Sequence, residues 1–274
     1  MVVDRSDRPC LLCGRIFRGR AFLCRDCAER YREAPVPVEV RQRFYAEIDR
    51  VYPDWSNTYG QYNPPVGLLA LIDHLPRDTR ILEVGAGGGF TLERLHATGF
   101  NRLTGLDLTE STLAAMRGRA PAAHLVAADA EALPFRDGSF DLLLSSDVVE
   151  HLPALEKHFA EAARLLADDG YYLFKTPNRL MAQAYYRMRG MYDAYFWHPS
   201  MSSPGEIRSR LARHGFSVCF AAVPRLTEAQ LRKIPGTPLR RVARRFPLGR
   251  LPLPLRPHLE VIAQKRANRK NRLD

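Results

Sequence analysis

Ile81-Leu82-Glu83-Val84-Gly85-Ala86-Gly87-Gly88-Gly89-Phe90 is the stretch that decides the fold. A short apolar run enters a cluster of glycines, and a helical pattern leaves it. That is the first strand-to-helix turn of a doubly wound α/β sheet. Glycine lets the backbone turn tightly there and lets a ligand approach it without a Cβ in the way. The turn alone does not name the ligand, because dinucleotide-binding folds carry G-x-G-x-x-G in the same place. Glu83 narrows the choice. A carboxylate two residues before the first glycine suits a ligand with a cationic amino group and would repel a pyrophosphate.

Outward from this turn, strand and helix alternate. Strands are expected at residues 80–84, 102–106, 124–128, 140–145, 171–175, 216–223 and 259–263, and helices at 89–98, 110–118, 153–167 and 204–214. Gly215 stands where the last of these helices should end. Such alternation implies βαβ crossovers and a mostly parallel sheet. Asp107 ends the second strand, 22 residues after Gly85, where an acidic side chain accepts ribose hydroxyls. Asp129 ends the third, placed to receive an adenine amino group.

Taken together, the glycine turn, GLDLTE at 105–110, AADAEALPF at 127–135, FDLLLSSDVVEHL at 140–152 and TPN at 176–178 resemble the class I S-adenosylmethionine (SAM)-dependent methyltransferases. The branch they resemble most contains the ubiquinone-biosynthesis O-methyltransferases, over roughly residues 80–216. The resemblance implies a Rossmann-like seven-stranded sheet with helices on both faces, and SAM as cofactor. It places Glu83, Gly85 and Gly87 at the methionine end, Asp107 on the ribose, Asp129 and Ala130 beside the adenine, and Ser146 at the far wall. Ala86 and Leu108 complete the cofactor-binding set.

Methyl transfer from a sulfonium needs alignment of a nucleophile more than any universal catalytic group. A phenol or alcohol acceptor is helped by losing its proton, and His151, just past the fourth strand, is the candidate base. Asp147, Glu150 and His151 also resemble the E-x-x-E-H set that quinone-pathway relatives use for a divalent cation, with Asp in the first place. Met181, Tyr185, Tyr186, Met188, Met191, Tyr192, Tyr195, Phe196, Trp197 and His198 form either an apolar lid over a flat or hydrophobic acceptor or an amphipathic core helix.

Four of the five cysteines lie within the first 27 residues. Cys10-x-x-Cys13 and Cys24-x-x-Cys27 supply two thiolate pairs for one structural zinc. They resemble the short zinc ribbon of competence-related phosphoribosyltransferases. Cys219 is expected in a buried strand.

The net charge of +11 is confined to the end of the chain: residues 224–274 hold 14 Lys/Arg against three acids. The expected organisation is a zinc ribbon at 1–34, a linker with helices at 35–79, the SAM-binding core at 80–223, a basic proline-rich excursion at 224–258, and a last strand with basic tail at 259–274. Residues 41–51 and 66–74 read as helices. In the excursion, Leu239, Val242 and Phe246 recur at helical spacing opposite Arg240, Arg241, Arg244 and Arg245. That helix either lies on an anionic membrane as a peripheral contact or is a solvated face over the sheet edge. The sequence shows neither a secretory signal nor a membrane-spanning run, so the expected compartment is the cytoplasm.

Two other functions fit parts of this pattern. An RNA methyltransferase would use the ribbon and the tail for nucleic acid. Against it, SSDVVE replaces the [D/N/S]-P-P-[Y/F/W] set of amino-group methylators, the Asn-Pro-Pro at 63–65 lies upstream of the fold, and the body carries no net charge. A zinc protein that binds SAM without turnover is the third reading. A small-molecule acceptor is the reading the lid favours.

Overall fold

The computed structural model describes residues 7–32, 36–52, 60–223, 225–234 and 236–267. A two-stranded antiparallel hairpin, β1 (Asp7–Pro9) and β2 (Ile16–Arg18), opens the described chain and leads into the helix Arg25–Arg30. The helix Val38–Val51 begins directly after Pro37, whose restricted φ suits a helix entrance, and Val66–Ile72 follows Pro65 in the same way.

The main sheet has seven strands: β3 (Ile81–Val84), β4 (Leu103–Asp107), β5 (His124–Ala127), β6 (Phe140–Ser146), β7 (Leu166–Pro177), β8 (Phe216–Phe220) and β9 (His258–Lys265). Their spatial order is β5-β4-β3-β6-β7-β9-β8. Strands β3 to β7 run parallel, and β9 inserts antiparallel between β7 and β8. The order reverses between β3 and β6, so the crevice beyond the carboxyl ends of those strands is where a ligand belongs. The mostly parallel α/β sheet expected from the sequence is therefore present.

Most expected elements lie within a few residues of their places. The largest displacement is at β7, which begins at Leu166, five residues early, because the preceding helix stops at Leu165 and the chain turns straight into the sheet. Cys219 is a correction. It lies on the outermost strand β8 and is exposed, since an edge strand has one neighbour and one open side.

Each face of the sheet is covered by an amphipathic helix layer. Leu155, Phe159 and Ala162 pack against Tyr172 and Phe174 on one face, and Leu92, Leu95 and Met116 cover the other. A third cluster joins the cysteine hairpin to the body: Phe22 and Leu23 pack with Phe44, Ile48, Phe196 and Trp197.

A buried polar chain ties the first of these layers to the ligand crevice. His158 Nδ1 lies 2.8 Å from the Ala130 carbonyl, which can only accept, so Nδ1 carries the proton and Nε2 accepts from the Tyr172 hydroxyl at 2.8 Å. Tyr172 in turn accepts from Ser145 Oγ at 2.8 Å. Burial holds the His158 pKa down to about 4, so the imidazole stays neutral and this polarity is kept.

In the basic excursion the helix Thr237–Arg245 buries none of its residues, and Leu239, Val242 and Phe246 are 55%, 68% and 44% exposed. Arg244 pairs with Glu228 at 3.1 Å, and Arg240 Nε donates to the Ile234 carbonyl. Among the described residues no helix is long and apolar enough to cross a membrane.

Candidate active site

At the carboxyl end of β3, Glu83 is 3% exposed. It accepts from the Thr91 hydroxyl and the Leu92 amide, yet Oε2 is buried without a partner. Burial raises its pKa to about 8, with Asp107 adding to the effect. A buried acid with an orphaned oxygen is a ready partner for an ammonium group.

The glycines after it do two different things. Gly85 has φ 67°, and a Cβ there would fall 2.4 Å from Val148 Cγ2, so this position is set by packing. Gly87 has φ 52° and open space in front of it, where a ligand can lie against the backbone. Asp107 joins the two loops: Oδ2 accepts from the Gly87 amide at 2.9 Å and Oδ1 from the Leu108 amide at 2.8 Å. Asp129 accepts from the Glu131 amide at 3.0 Å and from Arg41 Nη2 at 2.7 Å. Arg41 also reaches Glu131 at 3.4 Å. Nothing in the local spacing pointed to Arg41, which arrives from a helix 88 residues upstream.

Glu83, Gly85, Ala86, Gly87, Asp107, Leu108, Asp129, Ala130, Ser146 and His151 all line one cavity of about 410 Å³. Its other side is aromatic. His151 sits on a single 3-10 turn, Val149–His151, between one hydroxyl and a second imidazole. Its Nδ1 lies 2.8 Å from the Tyr45 hydroxyl, and its Nε2 lies 3.2 Å from Nε2 of His198. The Nδ1 of His198 in turn lies 2.8 Å from the Tyr186 hydroxyl. Two facing Nε2 atoms hold one proton between them, so one imidazole donates and the other accepts. Burial lowers the His151 pKa to about 4 and the His198 pKa well below its ordinary value, and both rings are neutral near pH 7.

The cation set expected at Asp147, Glu150 and His151 is not assembled that way. Asp147, at φ 56°, turns its carboxylate to Lys175 Nζ at 2.9 Å and Asn63 Nδ2 at 2.7 Å. Lys175 is fully buried on β7 and needs that partner. The group whose ligand atoms lie within 4.8 Å of one another is instead Glu150, His151 and His198. Burial, and secondarily Asp147, holds the Glu150 carboxyl well above the usual range. Asn63, upstream of the fold in sequence, lines the cavity in space.

The aromatic segment divides its labour. Tyr185, Tyr186, Met191, Trp197 and His198 face the cavity. Tyr192 and Tyr195 instead donate to the Leu23 and Ala28 carbonyls of the cysteine module, Phe196 packs on Tyr31 and Phe44, and Met188 is 79% exposed. Asp193 clamps the same module, accepting from the Phe22 amide at 2.7 Å and the Leu23 amide at 3.0 Å. Phe22 and Arg20 thereby become part of the cavity wall.

The sulfurs of Cys10, Cys13, Cys24 and Cys27 lie within 4.8 Å of one another. Cys13 Sγ and Cys24 Sγ are 3.7 Å apart, far beyond a disulfide and close to the roughly 3.8 Å edge of a tetrahedron with metal–sulfur bonds of about 2.3 Å. The Arg15 amide pulls the Cys13 thiol down to about 7, whereas burial pushes Cys24 and Cys27 up. Four thiols at this spacing fit zinc.

A family model described as a methyltransferase domain matches residues 82–174. The malonyl-[acyl-carrier protein] O-methyltransferase of Geobacter sulfurreducens is 41% identical over 99 residues, 35% of this chain and 37% of that protein. The phthiotriol/phenolphthiotriol dimycocerosates methyltransferase of Mycobacterium tuberculosis is 35% identical over 111 residues, 38% of this chain and 40% of that one. The chain thus matches well under half the length of either relative. A SAM-dependent methyltransferase structure from Thermotoga maritima superposes with a TM-score of 0.57 at 19% identity, covering 81% of this chain and 98% of that one, a likeness of fold. Residues 82–174 thus match a methyltransferase domain, and the seven-stranded sheet around them has the fold of the class I SAM-dependent methyltransferases.

Proposed function

We propose that this chain methylates a small, flat or hydrophobic acceptor at oxygen or carbon. The observation that carries the reading is the single cavity in which the glycine loop and the three acids face an aromatic wall holding His151. SAM would supply an electrophilic methyl group. Glu83 would hold its amino group, Asp107 the ribose hydroxyls, and Asp129 with Ala130 the adenine. Neutral His151 would take the acceptor's proton, and its depressed pKa leaves the imidazole unprotonated down to about pH 5. The curated relatives named above act on malonyl-[acyl-carrier protein] and on phthiotriol or phenolphthiotriol dimycocerosates, which favours a small-molecule or lipid acceptor over RNA.

Cys10, Cys13, Cys24 and Cys27 would hold one structural zinc, and elemental analysis of protein purified without chelator should find one per chain. The exposed apolar side of the helix Thr237–Arg245, with its arginines, supports peripheral contact with an anionic membrane surface. Changing Arg240, Arg241, Arg244 and Arg245 to Ser should then reduce pelleting with anionic vesicles; equal pelleting would refute that contact.

The test of the main reading is incubation with methyl-deuterated SAM and a metabolite extract. A metabolite that gains one labelled methyl group is the expected result, with His151→Gln lowering its rate of formation roughly 100-fold or more. Absence of any labelled product, with SAM binding intact, would favour a binding protein without turnover.

A further inference from the structure

Four rings form a strip along the acceptor side of the cavity. Phe22 and Trp197 have centroids 5.6 Å apart, Trp197 and Tyr186 5.1 Å, and Tyr186 and Tyr185 5.8 Å. All four line the cavity. At the Tyr185 end, two cations share one ring: Lys233 Nζ is 5.5 Å and Arg189 Cζ 5.9 Å from the Tyr185 centroid. Both also line the cavity.

A ring face attracts a cation, but two like charges brought to the same ring repel each other. Elsewhere in the cavity Arg41 pairs with Asp129 and Glu131, and Lys175 with Asp147, whereas Arg20, at the Phe22 end, keeps a buried Nε without a partner. Among the described residues neither the Arg189 guanidinium nor the Lys233 ammonium has a hydrogen-bonding or ion-pair partner. The charge left over is therefore positive, and two of its cations, Arg189 and Lys233, meet at the Tyr185 end of the apolar strip. The cofactor does not supply the missing anion there, because its carboxylate and amino group share one carbon and the amino group belongs beside Glu83.

We propose that the acceptor carries a carboxylate or phosphate, which Arg189 and Lys233 hold while its flat apolar body lies along the Tyr185–Tyr186–Trp197–Phe22 strip. This rests on the reading that the opposite side of the cavity holds SAM. It narrows the acceptor from any hydrophobic small molecule to an amphiphilic acid. A guanidinium and an ammonium over one ring would fix the anionic end and so set which atom of the body reaches the methyl group.

A matched pair of fluorescent probes tests this with the full zinc-loaded chain saturated with S-adenosylhomocysteine. 1-Anilinonaphthalene-8-sulfonate is an anion, and N-phenyl-1-naphthylamine has the same rings without the charge. The anion should bind at one site at least roughly tenfold tighter than the neutral probe. Arg189→Gln and Lys233→Gln should each weaken the anion by about fivefold or more while leaving the neutral probe and S-adenosylhomocysteine within about twofold. Unchanged neutral-probe binding also shows that the variants fold. Arg187→Gln, on the exposed side of the same helix, should change nothing.

Equal affinity of the two probes, an unchanged anion affinity in both variants, or an equal loss in Arg187→Gln would each overturn the proposal. Loss of S-adenosylhomocysteine binding in Arg189→Gln would do so too, by giving that cation to the cofactor. If the wild type fails to bind S-adenosylhomocysteine, the methyltransferase reading fails, whereas the probe comparison on the unliganded chain still reads the anion subsite. Displacement of the anionic probe by 1-naphthoate against 1-naphthyl phosphate then ranks carboxylate and phosphate.

Discussion

Around the glycine loop, Glu83, Asp107 and Asp129 each sit near or just beyond the end of a strand; Glu83 touches the helix that follows, and Asp107 and Asp129 touch nearby turns. Across the cavity the wall is gathered from distant parts of the chain: Phe22 from the cysteine module, Tyr45 from the helix Val38–Val51, His151 after β6, and Tyr186, Trp197 and His198 from the segment beyond β7. The side proposed for the cofactor is made mainly by local backbone turns, with Arg41 added from afar, and the side proposed for the acceptor by long-range packing. The two should therefore fail separately.

Removal of the zinc proposed for the four thiols should separate them most sharply. Structural zinc contributes on the order of 10 kcal/mol or more to small four-cysteine modules, and Phe22 and Leu23 pack in the same cluster as Cys10, Cys24 and Cys27. In Cys24→Ser or chelator-treated protein, zinc content should fall to zero and binding of an aromatic probe should weaken by roughly tenfold or more, while S-adenosylhomocysteine affinity changes by less than about threefold. Parallel loss of both affinities would break the distinction.

Asp193 offers a finer cut. Its buried carboxylate satisfies two amides of the cysteine module, so Asp193→Ala leaves two buried donors and should destabilise the chain by about 2–4 kcal/mol in urea unfolding. Asp193→Asn, which keeps an acceptor oxygen, should lose less. An unchanged midpoint in Asp193→Ala would show that the clamp is not what seats the module.

On the cofactor side, Glu83 predicts a pH dependence. Its folded pKa, about 8 without ligand, is raised above the unfolded value near 4.5. The folded state therefore favours the neutral acid, and the ligand-free chain loses stability as pH rises from about 4.5 to about 8. Binding an ammonium needs the ionised form, so S-adenosylhomocysteine affinity should strengthen by up to about tenfold per unit as pH rises from 6 toward 8. Glu83→Gln should bind weakly with a flat profile over that range. A flat wild-type profile would mean that Glu83 does not meet the amino group.

What could be read from the chain alone follows the same division. The acids at or just beyond the ends of β3, β4 and β5 were legible because strand ends and βα turns keep their spacing in sequence. The cysteine spacing was legible for the same reason. Arg41, Tyr45 and Asn63 were not, since their roles arise from contacts across 84 to 106 residues. Lys175 left a trace, a cation closing the apolar run 171–174, which a buried partner had to answer. Asp147 misled because adjacency to Glu150 and His151 in sequence does not survive the left-handed turn that aims it at Lys175.

The most direct measurement is calorimetric titration of S-adenosylhomocysteine into wild type and Asp107→Ala at pH 8. Asp107 holds the glycine loop through the Gly87 amide and, on this reading, the ribose hydroxyls. Micromolar binding in the wild type, weakened roughly tenfold or more in the variant while aromatic-probe affinity stays unchanged, is the expected result. Equal affinity of wild type and variant for S-adenosylhomocysteine would contradict a cofactor site at the ends of these strands.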